Sequence, residues 1–96
     1  MAAYLITSLL EITDQDAMEE YRSKIGATYE TYGGKLVAAD PEFEVMEGEW
    51  ESNRVVILEF PDMNALKGWY NSDEYKPLLE KRLGASTGNL IFVNGL

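Results

Sequence analysis

The sequence predicts a single α+β domain in which strands and helices follow the order β-α-β-β-α-β, the split ferredoxin-like arrangement. Three observations predict this fold class. Short segments rich in branched and aromatic residues are separated by turn residues, which is typical of strands. Two other stretches carry apolar residues at helical spacing. The length of 96 residues leaves room for one hydrophobic core, so residues 1–96 are expected to form one domain.

The first strand and the first helix are predicted between residues 4 and 34. Tyr4–Ile12 contains no Gly or Pro and is rich in Leu and Ile, which predicts a strand. Thr13 and Asp16 resemble a capping box, because the Thr hydroxyl can accept from an early helix amide while the Asp carboxylate reaches back. Gly33 and Gly34 end the helix, since glycine accepts the left-handed conformation of a helix C-terminus. The apolar face of this helix carries Met18, Tyr21, Ile25, Tyr29 and Tyr32.

Three extended segments are predicted in the middle of the chain. Lys35–Ala39 is a short strand, and Asn53–Phe60 is the most apolar strand and the natural centre of the sheet. Phe43–Trp50 is expected to be an extended edge segment, because its glutamates would discourage another sheet from pairing with it. These glutamates are Glu42, Glu44, Glu47, Glu49 and Glu51.

A helix is predicted directly after the central strand. Pro61 stops the strand, and the Asp62 side chain caps the helix that follows. This helix carries Leu66, Trp69 and Tyr70 on one side. Apolar side chains gathered on one side predict that the helix packs against the sheet.

The last part of the chain adds a further helical segment and a strand. Ser72 or Asp73 caps this segment, and Pro77 lies near enough to its first turn to be tolerated. A loop of small residues, Gly84–Gly88, is expected to lead to the final strand, Leu90–Val93. The side chains that mark the helical segment are Tyr75, Leu78, Leu79 and Arg82.

Composition excludes several kinds of function. The chain has no Cys and no His, which excludes disulfides, thiolate metal sites, cysteine nucleophiles and the Ser-His-Asp triad. We expect no cofactor and no metal. Eight basic residues against seventeen acidic ones give a formal charge of −9, which repels phosphate backbones, so nucleic acid is not an expected partner. No apolar run is long enough for a membrane span or a signal peptide, and we expect a cytoplasmic protein.

Both faces of the predicted sheet are apolar. One layer of helices covers only one face, and an uncovered apolar face of this kind is rare in monomers. We therefore expect a homodimer in which two sheets pack face to face about a two-fold axis. A small molecule could bind in the concave interior of that dimer or in the cleft between sheet and helix. The two faces carry Val56, Leu58, Phe60, Leu90 and Phe92 on one side, and Val55, Ile57, Ile91 and Val93 on the other.

Several motifs, spread over nearly the whole chain, together resemble one known family. They are Arg54–Pro61, Trp69–Tyr75, Lys81 and Arg82, with Ala3–Ile6, Asp14, Tyr21, Arg22, Tyr32–Lys35 and Glu47–Trp50. The most specific part is the pair Glu-Phe-Pro and Trp-Tyr-x-Ser-x-x-Tyr at this separation. The sequence thereby resembles the family designated domain of unknown function 1330. The resemblance implies a dimeric α/β barrel of the ferredoxin-like superfamily, and it implies no established general activity.

One position departs from the pattern of that family. Its members typically have an arginine at the end of the strand that follows the double glycine. This sequence has Ala39 at about that position, with Asp40 next to it. If the arginine holds an anionic ligand in the family, this chain has lost that contact.

Glu59 is the candidate catalytic residue, because it is the one carboxylate within the apolar central strand. Strand alternation places it on the face of Val55 and Ile57, where it is expected to be desolvated and either paired or raised in pKa. The functional interpretation is that Glu59 acts as a general base or as a ligand-binding acid. The structural interpretation is an ion pair with Arg54, Arg82 or a residue of a partner chain, or hydrogen bonds to a tyrosine hydroxyl.

Arg54, Trp69, Tyr70, Tyr75 and Arg82 are the candidate ligand-binding residues. Aromatic side chains at these positions are also typical of a core between helix and sheet, and their polar tips need partners if they are buried. The two arginines, of only three in the chain, can clamp a carboxylate through two hydrogen bonds or pair with the glutamate of the central strand.

Three functions from different classes are open. The first is a module that binds a small organic molecule. The second is a cofactor-independent enzyme of the monooxygenase or isomerase type, in which Glu59 and Tyr70 move a proton, and it rests on analogy with relatives of this fold. The third is a purely structural or interaction domain. A cavity that touches Glu59, Trp69 and an arginine would favour the first two, whereas a solidly packed sheet surface would favour the third.

Overall fold

The computed structural model describes all residues from 1 to 96 and consists of a four-stranded antiparallel sheet and three helices. The order of strands across the sheet is β2-β3-β1-β4, which confirms the ferredoxin-like fold and the interior position of β3. None of the helices combines the length and the apolar character needed to cross a membrane. The elements are β1 (Ala3–Ile12), α1 (Gln15–Glu30), β2 (Lys35–Asp40), β3 (Arg54–Phe60), α2 (Met63–Tyr70), α3 (Lys76–Ala85) and β4 (Ser86–Asn94).

The two faces of the sheet differ in what covers them. We call the side under the helices the helix face, defined by Leu5 and Leu58, and the other side the open face, defined by Ile6, Ile57 and Ile91. Leu5 pairs with Leu58 across β1 and β3, and Ile6 pairs with both Ile57 and Ile91. Leu5 and Leu58 are buried, whereas Ile91 is 55 % exposed. Both faces are therefore apolar, as the sequence predicts, but only one is covered within the chain.

A buried aromatic cluster holds α2 against α1 and the sheet. The ring of Trp69 is fully buried and lies 4.1 Å from that of Tyr75 and 5.4 Å from that of Phe60, measured between centroids. The indole Nε1 of Trp69 donates a hydrogen bond to Thr28 Oγ1 at 3.0 Å. The largest side chain of the core thus also has its polar atom satisfied.

The start of α1 differs from the prediction. The N-cap is Asp14, whose Oδ1 accepts a hydrogen bond from the backbone N–H of Ala17 at 3.0 Å. The backbone N–H of Thr13 donates instead to the carbonyl oxygen of Ala85 at 2.7 Å. Thr13 therefore belongs to the junction with the end of α3, and the predicted capping box of Thr13 and Asp16 is wrong.

The end of α1 requires its two glycines, as predicted. Gly33 has a φ of 79°, in the left-handed region that favours glycine. The N–H of Gly34 donates to the carbonyl oxygen of Tyr29 at 2.9 Å. A Cβ on Gly34 would lie 2.7 Å from the ring of Phe60, so no larger residue fits between α1 and the start of β2.

The segment between β2 and β3 is not a strand. Residues 41–53 contain neither helix nor strand, so the prediction of an extended edge segment at Phe43–Trp50 is wrong. Glutamate and glycine are poor strand formers, and Gly48 has a φ of 76°, which a straight strand does not allow. The edge strand on this side of the sheet is β2. We call residues 41–53, with their five exposed glutamates, the acidic loop.

The connection from α3 to β4 has no loop. Helix α3 ends at Ala85 and β4 begins at Ser86, so the prediction of a loop at Gly84–Gly88 is wrong. Ser86 Oγ donates to the carbonyl oxygen of Arg82 at 2.8 Å, which ties the first strand residue to the last turn of the helix. Gly88 permits close pairing with β1, because a Cβ there would lie 2.6 Å from the carbonyl oxygen of Ser8.

Ser72 joins the end of α2 to the start of α3. Its hydroxyl donates to the carbonyl oxygen of Trp69 at 2.7 Å and accepts from the N–H of Tyr75 at 3.2 Å. The N-cap of α3 is Tyr75, which has no side-chain cap hydrogen bond, so the prediction that Ser72 or Asp73 caps this helix is wrong. Ser72 binds an N–H just ahead of α3 instead. These bonds bring Tyr75 next to Trp69, where both border the candidate site.

Candidate ligand-binding site

A cavity of about 260 Å³ lies between the helix face of the sheet and α1. Thirteen of its eighteen lining residues are hydrophobic, so a ligand would be held mainly by apolar contacts. The exposed side chain of Leu36 forms part of the wall, which connects the cavity to solvent. Of the two predicted locations for a pocket, this is the cleft between sheet and helix. Its apolar lining includes Leu5, Leu9, Met18, Ile25, Leu58 and Leu90.

Every arginine of the chain lines this cavity. Arg22 comes from α1, Arg54 from β3 and Arg82 from α3, and no Asp, Glu or Lys is among the lining residues. Arg54 reaches the cavity because it pairs with Leu9, a buried residue of the helix face. In a chain of net charge −9, three guanidinium groups around an apolar space favour an anion. We call this space the arginine cavity.

Two tyrosines and Arg82 bring buried polar atoms to the wall of the arginine cavity. The hydroxyl oxygens of Tyr21 and Tyr75 are 2.7 Å apart and hydrogen-bonded, and Arg82 Nε is buried without a hydrogen-bond partner. Burial, and then the neighbouring Tyr75, raises the pKa of Tyr21, so its phenol stays protonated. Burial lowers the pKa of Arg82, but the phenols of Tyr75, Tyr21 and Tyr70 outweigh it, and the net shift is upward.

The three aromatic residues selected from the sequence, Trp69, Tyr70 and Tyr75, lie in two different environments. Trp69 and Tyr75 are fully buried and line the arginine cavity, so they belong to the core and to the site at once. Tyr70 does not line the cavity. Its ring packs edge to face against Phe92, with centroids 5.3 Å apart. The position of Tyr70 therefore gives no support to a role in ligand binding.

Glu59 lies on the open face, away from the arginine cavity. Its carboxylate accepts a hydrogen bond from the Tyr4 hydroxyl at 2.9 Å and pairs with Lys35 Nζ at 3.0 Å. The hydrogen bond from Lys35, followed by that from Tyr4, holds the pKa of Glu59 below its usual value. Of the two alternatives expected for Glu59, it is therefore paired and not raised in pKa. The predicted hydrogen bond to a tyrosine hydroxyl is present. The predicted ion pair with Arg54 or Arg82 is absent, because both arginines lie on the other face of the sheet.

Arg22 was not selected from the sequence, and Tyr21 was assigned to packing alone. Arg22, Gly26 and Tyr29 follow one another at steps of four and three residues, and all three line the arginine cavity. Residues at this spacing share one face of a helix. The same periodicity that identified the apolar face of α1 could therefore have identified Arg22.

Ala39 also lines the arginine cavity. It lies on β2 and pairs with Val56 of β3, on the same face of the sheet as Arg54. An arginine at this position would extend into the same space. The position at which the resemblance implies an arginine thus belongs to the wall of the candidate site.

A second, more open groove of about 330 Å³ lies on the open face. Its walls are Ile6, Leu10 and Ile91 of the sheet together with Trp50 of the acidic loop. The carboxylates of the acidic loop border this groove, and no Lys or Arg lines it, so it does not favour an anion. No group of three or more acidic side chains in the molecule is placed to hold a metal ion.

Solved structures share the fold over the whole chain. A protein of unknown function from Rhodopseudomonas palustris aligns with a TM-score of 0.78 and 20 % identity over 99 % of this chain and 82 % of its own. A dimeric ferredoxin-like protein of unknown function from Jannaschia sp. aligns with a TM-score of 0.72 and 13 % identity over 100 % and 99 %. SnoaB, a cofactor-independent oxygenase from Streptomyces nogalater, aligns with a TM-score of 0.63 and 13 % identity over 99 % and 91 %. At these identities the likeness shows the fold alone.

Comparison at the sequence level identifies the family. No curated protein matches the chain. The model of one family, Domain of unknown function (DUF1330), matches residues 2–96. This match confirms the resemblance carried by the Glu-Phe-Pro and Trp-Tyr-x-Ser-x-x-Tyr motifs, and the chain belongs to the DUF1330 family.

Proposed function

We propose that this protein binds a small, mostly apolar organic anion in the arginine cavity. The observation that carries the proposal is that all three arginines line this cavity without any acidic neighbour among the lining residues. Guanidinium groups bind carboxylates through paired hydrogen bonds and are weakly hydrated, so they suit a partly dry cavity. A volume of about 260 Å³ is near the lower end of ligand pockets and suits a molecule the size of one substituted aromatic ring.

Binding accounts for the cavity better than proton transfer does. The polar groups that line it include phenols and guanidinium groups, which are protonated donors, and no carboxylate or imidazole is present there to act as a general base. Glu59, the base of the alternative cofactor-independent enzyme, is engaged by Lys35 and Tyr4 on the open face. A purely structural domain would not require a cavity of this kind. Ligand binding is therefore our first proposal.

We also propose that the protein forms a homodimer through the open face. Ile91 is 55 % and Val93 38 % exposed, and both lie beside other apolar residues of this face. Surfaces of this kind are usually covered in folded proteins, and a second copy related by a two-fold axis would cover both open faces at once. The similar protein from Jannaschia sp. is dimeric, which supports the proposal. A cytoplasmic location and the absence of a nucleic-acid partner stay predictions from the sequence.

The two tryptophans allow a direct test of ligand binding by NMR. Trp69 lines the arginine cavity, and Trp50 lines the groove on the open face. We expect sodium benzoate to shift the indole N–H signal of Trp69 in a saturable manner and to leave that of Trp50 in place. Benzamide has nearly the same shape and no charge, and we expect it to bind at least ~10-fold more weakly because it lacks charge-assisted hydrogen bonds.

Three outcomes would overturn the proposal. Equal affinity for benzoate and benzamide would remove the preference for an anion. Movement of the Trp50 signal alone would assign binding to the open face. The absence of any shift with benzoate, phenylacetate and hexanoate would mean that the arginine cavity does not bind small carboxylates.

A further inference from the structure

Two buried hydrogen-bond donors at one end of the arginine cavity have no acceptor. The hydroxyls of Tyr21 and Tyr75 share one hydrogen bond of 2.7 Å, in which either can be the donor. One of the two hydroxyl hydrogens is used in this bond, and neither hydroxyl donates to any other group of the chain. The guanidinium group of Arg82 lies next to both hydroxyls and influences the ionisation of Tyr21. The second donor is the Nε–H of Arg82, whose nitrogen is buried and unpaired.

These hydrogen-bond donors are buried, so the lack of an acceptor within the chain is unusual. Tyr75 is fully buried and Tyr21 is 8 % exposed, so the arginine cavity is the route by which an acceptor can reach either hydroxyl. Buried donors without acceptors are rare in folded proteins. Both tyrosines and Arg82 line the arginine cavity. The unpaired donors therefore border a space that is open to a ligand.

The donors define the chemistry of the group that would satisfy them. A guanidinium group presents N–H donors in one plane, and a carboxylate presents two acceptor oxygens in one plane. A phenol that keeps its proton donates to such an oxygen without repelling its charge, and burial keeps the phenol of Tyr21 protonated. A neutral carbonyl compound would satisfy one donor but would leave the charge of Arg82 without a counterion.

We propose that Arg82, Tyr21 and Tyr75 form the subsite that holds the carboxylate of the ligand. This inference rests on the proposed function and deepens it, because it identifies which of the three arginines recognises the acid. Arg22 is exposed on α1, so water weakens its attraction for an anion. The affinity for an acid should accordingly depend on Arg82 far more than on Arg22.

Variants that separate charge from hydrogen-bond geometry test this subsite. Arg82→Lys keeps the positive charge but lacks the planar guanidinium group, and Tyr75→Phe removes one hydroxyl. We expect the Kd for benzoate, followed at the Trp69 indole signal, to rise at least ~10-fold in Arg82→Lys and ~3-fold or more in Tyr75→Phe. Lys67→Gln removes an exposed positive charge outside the arginine cavity, so it is the matched control and should change the Kd by less than ~2-fold.

A second measurement uses the unmodified protein. Of the Nε–H signals of Arg22, Arg54 and Arg82 in the NMR spectrum, that of Arg82 should move most on saturation with benzoate. This measurement tests the role of Arg82 even if Arg82→Lys fails to fold. A change in the Trp69 indole signal of the variant without ligand would reveal such a failure.

The possible results distinguish this inference from the proposed function. If benzoate binds the unmodified protein but Arg82→Lys and Tyr75→Phe keep the full affinity, the subsite is wrong and the proposed function stands. Loss of binding in Arg22→Gln or Arg54→Gln alone would also overturn the subsite and would move the acid toward those residues. If benzoate does not bind the unmodified protein, both proposals are wrong.

Discussion

The helix face and the open face belong to the same strands but differ in burial and in charge. On the helix face every second residue of β1 is buried, and the three arginines line a cavity beside them. On the open face the neighbouring residues of β1 are partly exposed, and the carboxylate of Glu59 is paired with Lys35. Because the side-chain period of a strand is two residues, β3 carries Arg54 on one side and Glu59 on the other. Arg54 in the cationic cavity and the acidic Glu59 are thus only five residues apart in the sequence, yet the sheet separates them.

The largest effect on stability is expected on the helix face. Trp69→Ala should lower the free energy of unfolding by about 3–5 kcal/mol, because it leaves a void beside Tyr75 and Phe60. Urea denaturation measures this loss. Leu83→Ala, on the exposed side of α3, is the control and should stay within ~0.5 kcal/mol. Equal losses in the two variants would contradict the burial of Trp69.

A smaller effect on folding but a large one on assembly is expected on the open face. Ile91→Asp introduces a charge into the proposed dimer interface, and two-fold symmetry introduces it twice. We expect the dissociation constant of the dimer to rise at least ~100-fold, because a charge without a partner is costly to bury. Sedimentation at micromolar concentration measures the change. An unmodified protein that is monomeric under these conditions would contradict the proposed interface.

The smallest effect is expected from Glu59→Gln. The folded-state pKa of Glu59 lies below its usual value of 4.5, so its ionised form stabilises the fold. This contribution is complete above about pH 4.5 and is lost as the pH falls through the lower pKa of the folded state. The midpoint of thermal unfolding should therefore be slightly lower in Glu59→Gln than in the unmodified protein at neutral pH, and the difference should vanish in acid.

The same variant also sharpens the comparison of the two faces for ligand binding. Glu59 lies across the sheet from the arginine cavity, so Glu59→Gln should leave the affinity for benzoate unchanged. A large loss of benzoate binding in this variant would show that the two faces are not functionally separate, and it would restore Glu59 as a candidate acid or base.

The sheet could be predicted from the sequence because short runs of branched and aromatic residues between turn residues are typical of strands. The central strand, expected at Asn53–Phe60, is observed at Arg54–Phe60. The errors lie where contacts between distant residues decide the structure. Phe43–Trp50 is predicted to be extended from its residue pattern, but no neighbouring strand pairs with it. Gly84–Gly88 has the composition of a loop, yet its last glycine is needed for close pairing with β1.

The candidate site could be predicted only in part. Four of the five expected ligand-binding residues line the arginine cavity, and Tyr70 does not. Pairing of Glu59 with Arg54 could have been excluded from the sequence, since residues five apart on a strand face opposite ways. The bond between Tyr21 and Tyr75 could not have been predicted, because it joins residues 54 positions apart through the packing of α1 against the start of α3.

The position of the arginines also determines the field around the molecule. With Arg54 and Arg82 lining the arginine cavity, the exposed Arg22 and five lysines are the remaining basic side chains against seventeen acidic ones. An anion in solution would meet repulsion before it reached the cavity, over a distance of about 10 Å at 0.1 M salt. Added salt would weaken this repulsion, so capture of the anion would become faster as ionic strength rises, contrary to the behaviour of proteins whose outer surface attracts their ligand.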